Sequence, residues 1–329
     1  MDSNLKRYFT VFLFTGLAFV YCWTFVHSVE DLILPIWSYF GLIFKRKPLE
    51  ESIALYFICI LPVLFLPNRL SRPSESLIWG VYVITYIPTV LYGIGYPLPF
   101  STVMPIAVTL FGCLGLLCLV SRAPRLKIPR VRMSSQQFWI GLTVVSIVFN
   151  LLVLASSGIK FELASATEMY DVRADFVENL KFPANYAILW QSCVLNPFWM
   201  AYGLVSRRRW VFGLGALGQV YFYGLGAFKA LPASIALVMV LYLARGRDGS
   251  SFGLRWLSMV TVGVFIPVAT TLASEMTPLL QAVVGAVHWR ALVQTSFLAN
   301  LYFDYFSTHP WVYFSQIKGL NLFLSSPYS

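Results

Sequence analysis

Charge is scarce in this chain. Only 12% of its 329 residues are Asp, Glu, Lys or Arg, about half the share in a soluble domain. That excludes a protein held in solution by a charged surface. Acids are the scarcer sign, 14 against 24 Lys and Arg, for a net charge of +10. Histidine is rarer still. His27, His288 and His309 are too few and too scattered for a metal centre. Cysteine is limited to Cys22, Cys59, Cys113, Cys118 and Cys193, all in apolar segments. None has the loop spacing of a disulfide or metal site, so they read as small buried apolar residues. There is no Walker loop, no dinucleotide fingerprint and no His-Glu-x-x-His. A transporter driven by its own ATPase domain is excluded, there is no room for a nucleotide-sugar domain, and no cofactor is expected. Long repeats and coiled-coil heptads are also missing.

What is present is apolar: 58% of residues are hydrophobic and 17% aromatic, with a mean hydropathy of +0.71. No polar segment is long enough to bury a core of its own. The chain therefore reads as a single all-α transmembrane domain over 1–329, because unpaired backbone cannot face lipid. Candidate spans are about 8–26, 52–67, 76–96, 101–120, 137–157, 186–205, 210–228, 230–244 and 256–274. The first lacks a small-residue cleavage site and reads as a retained helix. The run 29–44, which opens with Glu30 and Asp31, is either a short span or an interfacial helix. The total is nine or ten helices accordingly. The glycine-rich run Gly213, Gly215, Gly218, Gly224 and Gly226 predicts close helix packing rather than a ligand loop.

Basic residues set the orientation. Arg69 and Arg72, the loop from Arg122 to Arg132, the triplet Arg207-Arg208-Arg209, and Arg245, Arg247 and Arg255 share one side, which the positive-inside rule makes cytoplasmic. The net charge thus belongs to topology, and no nucleic-acid partner is implied. The opposite side receives the polar stretches 158–185 and 275–311. Lys45-Arg46-Lys47 also falls there, as a local exception.

These outer stretches hold most of the chemistry. Arg173 follows Tyr170 and Asp171; a guanidinium grips phosphate or carboxylate with two parallel hydrogen bonds. Lys229 stands at the outer end of the 210–228 span, where it either snorkels to head groups or meets a lipid phosphate. His288, Trp289 and Arg290 lie on a moderately apolar stretch that predicts an interfacial helix. There Arg290 and His288 either face head groups or hold an anion, and His288 is placed to take a proton. Asp304 sits among Tyr302, Phe303, Tyr305, Phe306 and His309, an array that suits either an interfacial belt or stacking on sugar rings. A lone Asp is more often a cap or ion-pair partner than a base.

Three features together carry a resemblance: Tyr170-Asp171-Val172-Arg173 with Phe176 and Asn196-Pro197, the Gly226-x-x-Lys229 turn, and Arg290 followed by Tyr302–Pro310. Over about 137–325 the chain resembles the bacterial oligosaccharide repeat-unit polymerases of O-antigen and capsule assembly. The resemblance implies a multi-span, lipid-linked-donor glycosyltransferase of the bacterial inner membrane, active on its periplasmic face. It would join undecaprenyl-diphosphate-linked oligosaccharides by inverting transfer, in a lipid bilayer shared with a repeat-unit flippase and a chain-length regulator. Carried over by motif, Arg173 and Arg290 would be the functional arginines, with Lys229 in a place where relatives commonly have arginine. These three would hold the diphosphate. The base would be Asp304 or His288, with Asp171 and Glu168 as rivals; Tyr170, Tyr302, Tyr305 and His309 are sugar-contact candidates. Relatives continue through further helices, whereas this sequence stops at Leu324–Ser329, as a truncated copy would. The alternatives are an O-antigen ligase, a lipid-linked oligosaccharide flippase or transporter, and a non-catalytic assembly component.

Overall fold

The computed structural model describes residues 3–124, 133–157, 168–273, 277–312, 315 and 317. Arg125, Lys127, Arg130 and Arg132 of the basic loop, together with Lys160, Glu275, Lys318 and Leu324–Ser329, lie outside them. All regular structure among the described residues is helical. Among the described residues five helices are long and apolar enough to cross a membrane: Tyr8–Phe40, Pro73–Tyr92, Phe100–Arg122, Ser135–Ser156 and Phe252–Ala273; Ala230–Arg245 is a shorter apolar helix. The protein is an all-α, multi-pass membrane protein. Where the sequence suggests one continuous domain, the packing separates two compact units, residues 1–123 with 249–329, and residues 124–248.

In the first unit the ambiguous run 29–44 is divided. Its first part extends the first helix, which continues from Ser3–His27 through a π turn at Ser28–Ile33 to Phe40. It stops at Gly41, whose φ of 76° is left-handed and suits a residue without Cβ. The 33 residues of Tyr8–Phe40 reach about 50 Å, against a hydrocarbon core of about 30 Å. Glu30 and Asp31 therefore sit toward an end that overshoots the core, and residues 41–48 follow at that end. The basic triplet there is tied down. Arg46 forms an ion pair with Glu30, and the Lys47 ammonium donates to Tyr96 O at 2.6 Å, with partial burial lowering its pKa.

Prolines decide the detail of the helices. A proline has no N–H to offer its helix, and its ring collides with the carbonyl four residues back. Three of the four described π turns, Ser28–Ile33, Val81–Tyr86 and Gln191–Leu195, end just ahead of Pro35, Pro88 and Pro197. Widening the turn moves the offending carbonyl aside but leaves another without a donor. At Val81–Tyr86 the Ile87 N–H bonds Tyr82 O, so Val83 O would fall to Pro88; the Tyr21 hydroxyl donates to it instead, at 2.5 Å. At Gln191–Leu195 the Asn196 N–H bonds Gln191 O, so Ser192 O would fall to Pro197; Gln219 Nε2 donates to it at 2.7 Å. Pro62 likewise orphans Ile58 O, which accepts from the Tyr86 hydroxyl at 2.7 Å. The same proline turns Leu49–Ile60 into a 3-10 segment at Leu61–Leu64, which is why that span is short.

These donors come from the core itself. Tyr21, Tyr82, Trp79 and Phe25 are among the largest fully buried side chains of the first unit, and Gln219 is fully buried in the second. The second unit packs tightly at Gly215, Gly218 and Gly226, as expected of the glycine run, whereas Gly213 faces open space. A Cβ on Gly215 would lie 2.7 Å from Asn196 O and 2.9 Å from Met200 N, so only glycine lets helices 196–205 and 209–226 meet there. Outward faces are apolar: Leu116, Leu119, Ile140, Val144 and Leu151 are exposed, as lipid contact requires.

Tyr21→Phe and Gln219→Leu should each cost about 1–2 kcal/mol, because each leaves a carbonyl orphaned in apolar surroundings. Thermal unfolding of the purified protein should show both shifts, while Leu119→Ala on the lipid face should leave the midpoint nearly unchanged.

Candidate functional site

The second unit brings together two of the sequence motifs. Arg173 and Phe176 lie on the helix Met169–Asn179, and Gly226, Ala227, Phe228 and Lys229 form the turn between helices Arg209–Gly226 and Ala230–Arg245. Arg173 Nη2 donates to Ala227 O at 2.7 Å. Its guanidinium also lies over two rings, with its carbon 5.1 Å from the Phe228 centroid and 5.7 Å from that of Tyr170. Cation–π contacts of this kind suit a planar, weakly hydrated cation.

The turn has its shape because Ala227 takes a left-handed φ of 50° and closes the helix with its N–H on Tyr223 O at 2.8 Å. Gly226 is required by space: a Cβ there would stand 2.6 Å from Phe228 and 2.8 Å from Phe176. Phe176 is buried in a cluster with Val153, Ile188, Phe222 and Leu225, which anchors the short helix to the unit. Lys229 is exposed beside this turn. Arg173 Nε is buried without a hydrogen-bond partner among the described residues. The arrangement is a half-buried guanidinium, an exposed ammonium and an aromatic floor, which can hold an anion attached to an apolar or ring-shaped body.

In the first unit the remaining candidates share one continuous helical run, Pro278–Thr308, but not one place. His288 and Trp289 turn inward rather than to water or head groups. His288 is fully buried and its Nδ1 is paired with the Ser28 hydroxyl. Trp289 stacks on Phe40 and Trp37, with centroids 5.3 and 6.1 Å away. The moderately apolar stretch is one face of a packed helix, so its large side chains go to the core. Arg290 is exposed, two residues from His288 and on the opposite face, so the two do not act together on one group. Burial lowers the His288 pKa to about 4, which keeps the ring neutral at physiological pH and removes it from solvent-side proton transfer.

Asp304 is fourteen residues beyond Arg290, about 20 Å along the helix. It accepts from the Tyr96 hydroxyl at 3.3 Å, and the Tyr96 pKa is raised by burial and then by the Asp304 charge. The aromatics around it form a ladder. Tyr302 stacks on Phe306, Phe306 on Trp311, and Tyr305 on His309 at 4.0 Å. Tyr302, Tyr305 and His309 are exposed, so the ladder presents ring edges and faces outward.

Sequence reasoning missed Tyr96, Phe228 and the Ala227 carbonyl, because their roles depend on which side chain approaches them. It also passed over a cavity in the second unit lined by Trp139, Trp199, Gln191 and Asn196. The visible signal was the presence of Asn150, Gln191 and Asn196 within apolar runs. No group of three or more His, Cys, Asp or Glu placed to hold a metal occurs among the described residues.

The buried imidazole has a consequence for stability. As pH falls from about 6.5, the unfolded chain takes up a proton that the folded His288 refuses until about pH 4. Stability should therefore decline through this window, by up to about 1.4 kcal/mol per pH unit, and His288→Gln should lose that part of the pH dependence in thermal unfolding at pH 7.5 and 5. Compared with protein-family models, with curated proteins and with solved structures, the chain matches none.

Proposed function

We propose that this multi-pass membrane protein joins undecaprenyl-diphosphate-linked oligosaccharide repeat units into a surface polysaccharide, O-antigen or capsule, at the periplasmic face of the bacterial inner membrane. In this reading it is an inverting glycosyltransferase with nine or ten membrane helices. The observation that carries it is the convergence of Arg173 on the Gly226–Lys229 turn. Two motifs fifty residues apart become one cationic, aromatic-backed corner.

The chemistry follows from the donor. A glycan on a polyprenyl diphosphate already has its leaving group, so neither a nucleotide nor a metal is needed. As the anomeric C–O bond breaks, negative charge grows on the departing diphosphate. Arg173 and Lys229 would stabilise that charge, and Arg290 is the second arginine that the motif carries over. The proton of the acceptor hydroxyl goes to a carboxylate as that oxygen attacks the opposite face of the anomeric carbon, the candidates being Asp171, Glu168 and Asp304. The Asp304 carboxylate is held by Tyr96, and the exposed Tyr302, Tyr305 and His309 offer rings to the sugars, as Tyr170 would beside Arg173. His288 has a structural part here, as the buried partner of Ser28.

Arg173→Ala and Arg290→Ala should each abolish long polymer while single repeats still reach lipid A and the protein stays in the membrane at normal level. Arg173→Lys should restore only part of it, since a lysine keeps the charge but cannot fork. Glycan ladders on gels provide the readout. Full-length glycan from both alanine variants would remove these arginines from the mechanism, and loss of even single repeats would indicate a ligase. Labelling of cysteines placed at 170 and 290 should occur from the same side of the membrane; opposite sides would end the reading.

A further inference from the structure

The cavity of the second unit lies away from the Arg173 corner, toward the other end of helix Arg209–Gly226. It holds about 530 Å3, within the range of roughly 300–1,000 Å3 typical of small-ligand sites. Its walls are aromatic. Trp139 lies 4.3 Å from Tyr202 and 5.7 Å from Trp199, centroid to centroid, and Trp210 adds a further ring.

Its floor is a chain of uncharged amides. Gln191 Nε2 donates to Ser146 Oγ at 2.7 Å and to Asn196 Oδ1 at 2.8 Å. Asn196 is 3% exposed, and its Nδ2 has no partner among the described residues. That nitrogen rests where Gly218 has no side chain; a Cβ there would come within 2.7 Å of it. Asn150, whose Nδ2 donates to Ser146 O at 2.7 Å, lines the same cavity. The site also sits at the break in its helix, where the π turn Gln191–Leu195 precedes Pro197. Membrane helices depart from α geometry mainly where they line a site or are buried in protein.

We propose that this cavity binds an uncharged glycosyl ring presented from the bilayer on an apolar chain. The floor has amide groups able to donate and accept, and among the described residues the lining carries no carboxylate. The one cation among the described lining residues, Arg208, is exposed, so the buried part selects against charge. A hydrocarbon tail would leave the Asn196 donor unpaired. A sugar ring presents hydroxyls to the amides and its C–H faces to the tryptophans. The inference stands on the cavity alone and goes beyond the polymerase reading, since the residues of this site on the helix, Trp210 to Gly218, lie about 12–24 Å from Gly226.

The test is a tryptophan-fluorescence titration of the full chain, purified in a sugar-free amine-oxide detergent. The probes are octyl β-glucoside and octyl β-galactoside, with octyl tetraethylene glycol and octyl phosphate as comparators. A saturable change with a glycoside is expected, weakened about tenfold by Asn196→Leu, the loss of one hydrogen bond. Because Asn196→Leu also strips Gln191 of a partner, Asn150→Leu and Gly218→Ala serve as further variants that keep every tryptophan, and they should weaken binding likewise. Equal saturation with octyl tetraethylene glycol would make the cavity a greasy groove and overturn the proposal. So would saturation by octyl phosphate alone, abolished by Arg208→Ala, or no saturation by any glycoside. None of these outcomes bears on the glycan ladders of the Arg173 variants, so the two readings fail separately.

Discussion

Everything in this fold depends on giving each main-chain carbonyl a donor where there is no water to supply one. Prolines make that difficult, and the chain puts them in or beside its helices. Its answer recurs: a side chain from another helix donates to the carbonyl left over, at Pro88 and Pro197 after a wide turn just ahead of the proline. Tyr21 does this for Val83, Gln219 for Ser192 and Tyr86 for Ile58. Each such bond ties two helices at a fixed height and rotation, so the requirement to satisfy the backbone also determines the packing.

The candidate site inherits its precision from this packing. Arg173 is held by a carbonyl, by two rings and by the burial of Phe176 three residues further on. The Ala227 carbonyl is available because the helix ends there in a left-handed residue, and the helix can end there because Gly226 admits Phe176 and Phe228. A cation positioned in this way needs little reorganisation to meet an anion. The same economy explains the cavity floor, where amides that hold the helix break together also leave one donor over.

The histidine illustrates the opposite case. His288 and Arg290 are neighbours in sequence and look like one constellation, but a helix sends them to opposite faces. The inward one pairs with Ser28, and the next residue, Trp289, stacks on Trp37 and Phe40. A titratable residue near a charged one suggests chemistry only when both open to the same space.

The sequence by itself determined the class of the molecule: helices across a membrane, glycines for close packing, and the Arg173 and Gly226–Lys229 segments as the motifs to watch; its reading of the cysteines as buried holds for Cys22, Cys59 and Cys118 but not for Cys113 and Cys193, which are exposed. Composition and periodicity suffice for that, because lipid tolerates few alternatives. Only the tertiary structure decided that 29–40 prolongs the first helix, that His288 is core, that Arg173 meets Ala227, and that Gln191 and Asn196 form the floor of a cavity. Each of these depends on helix rotation and on which neighbour supplies a missing hydrogen bond, and neither is written in the spacing of residues along one chain.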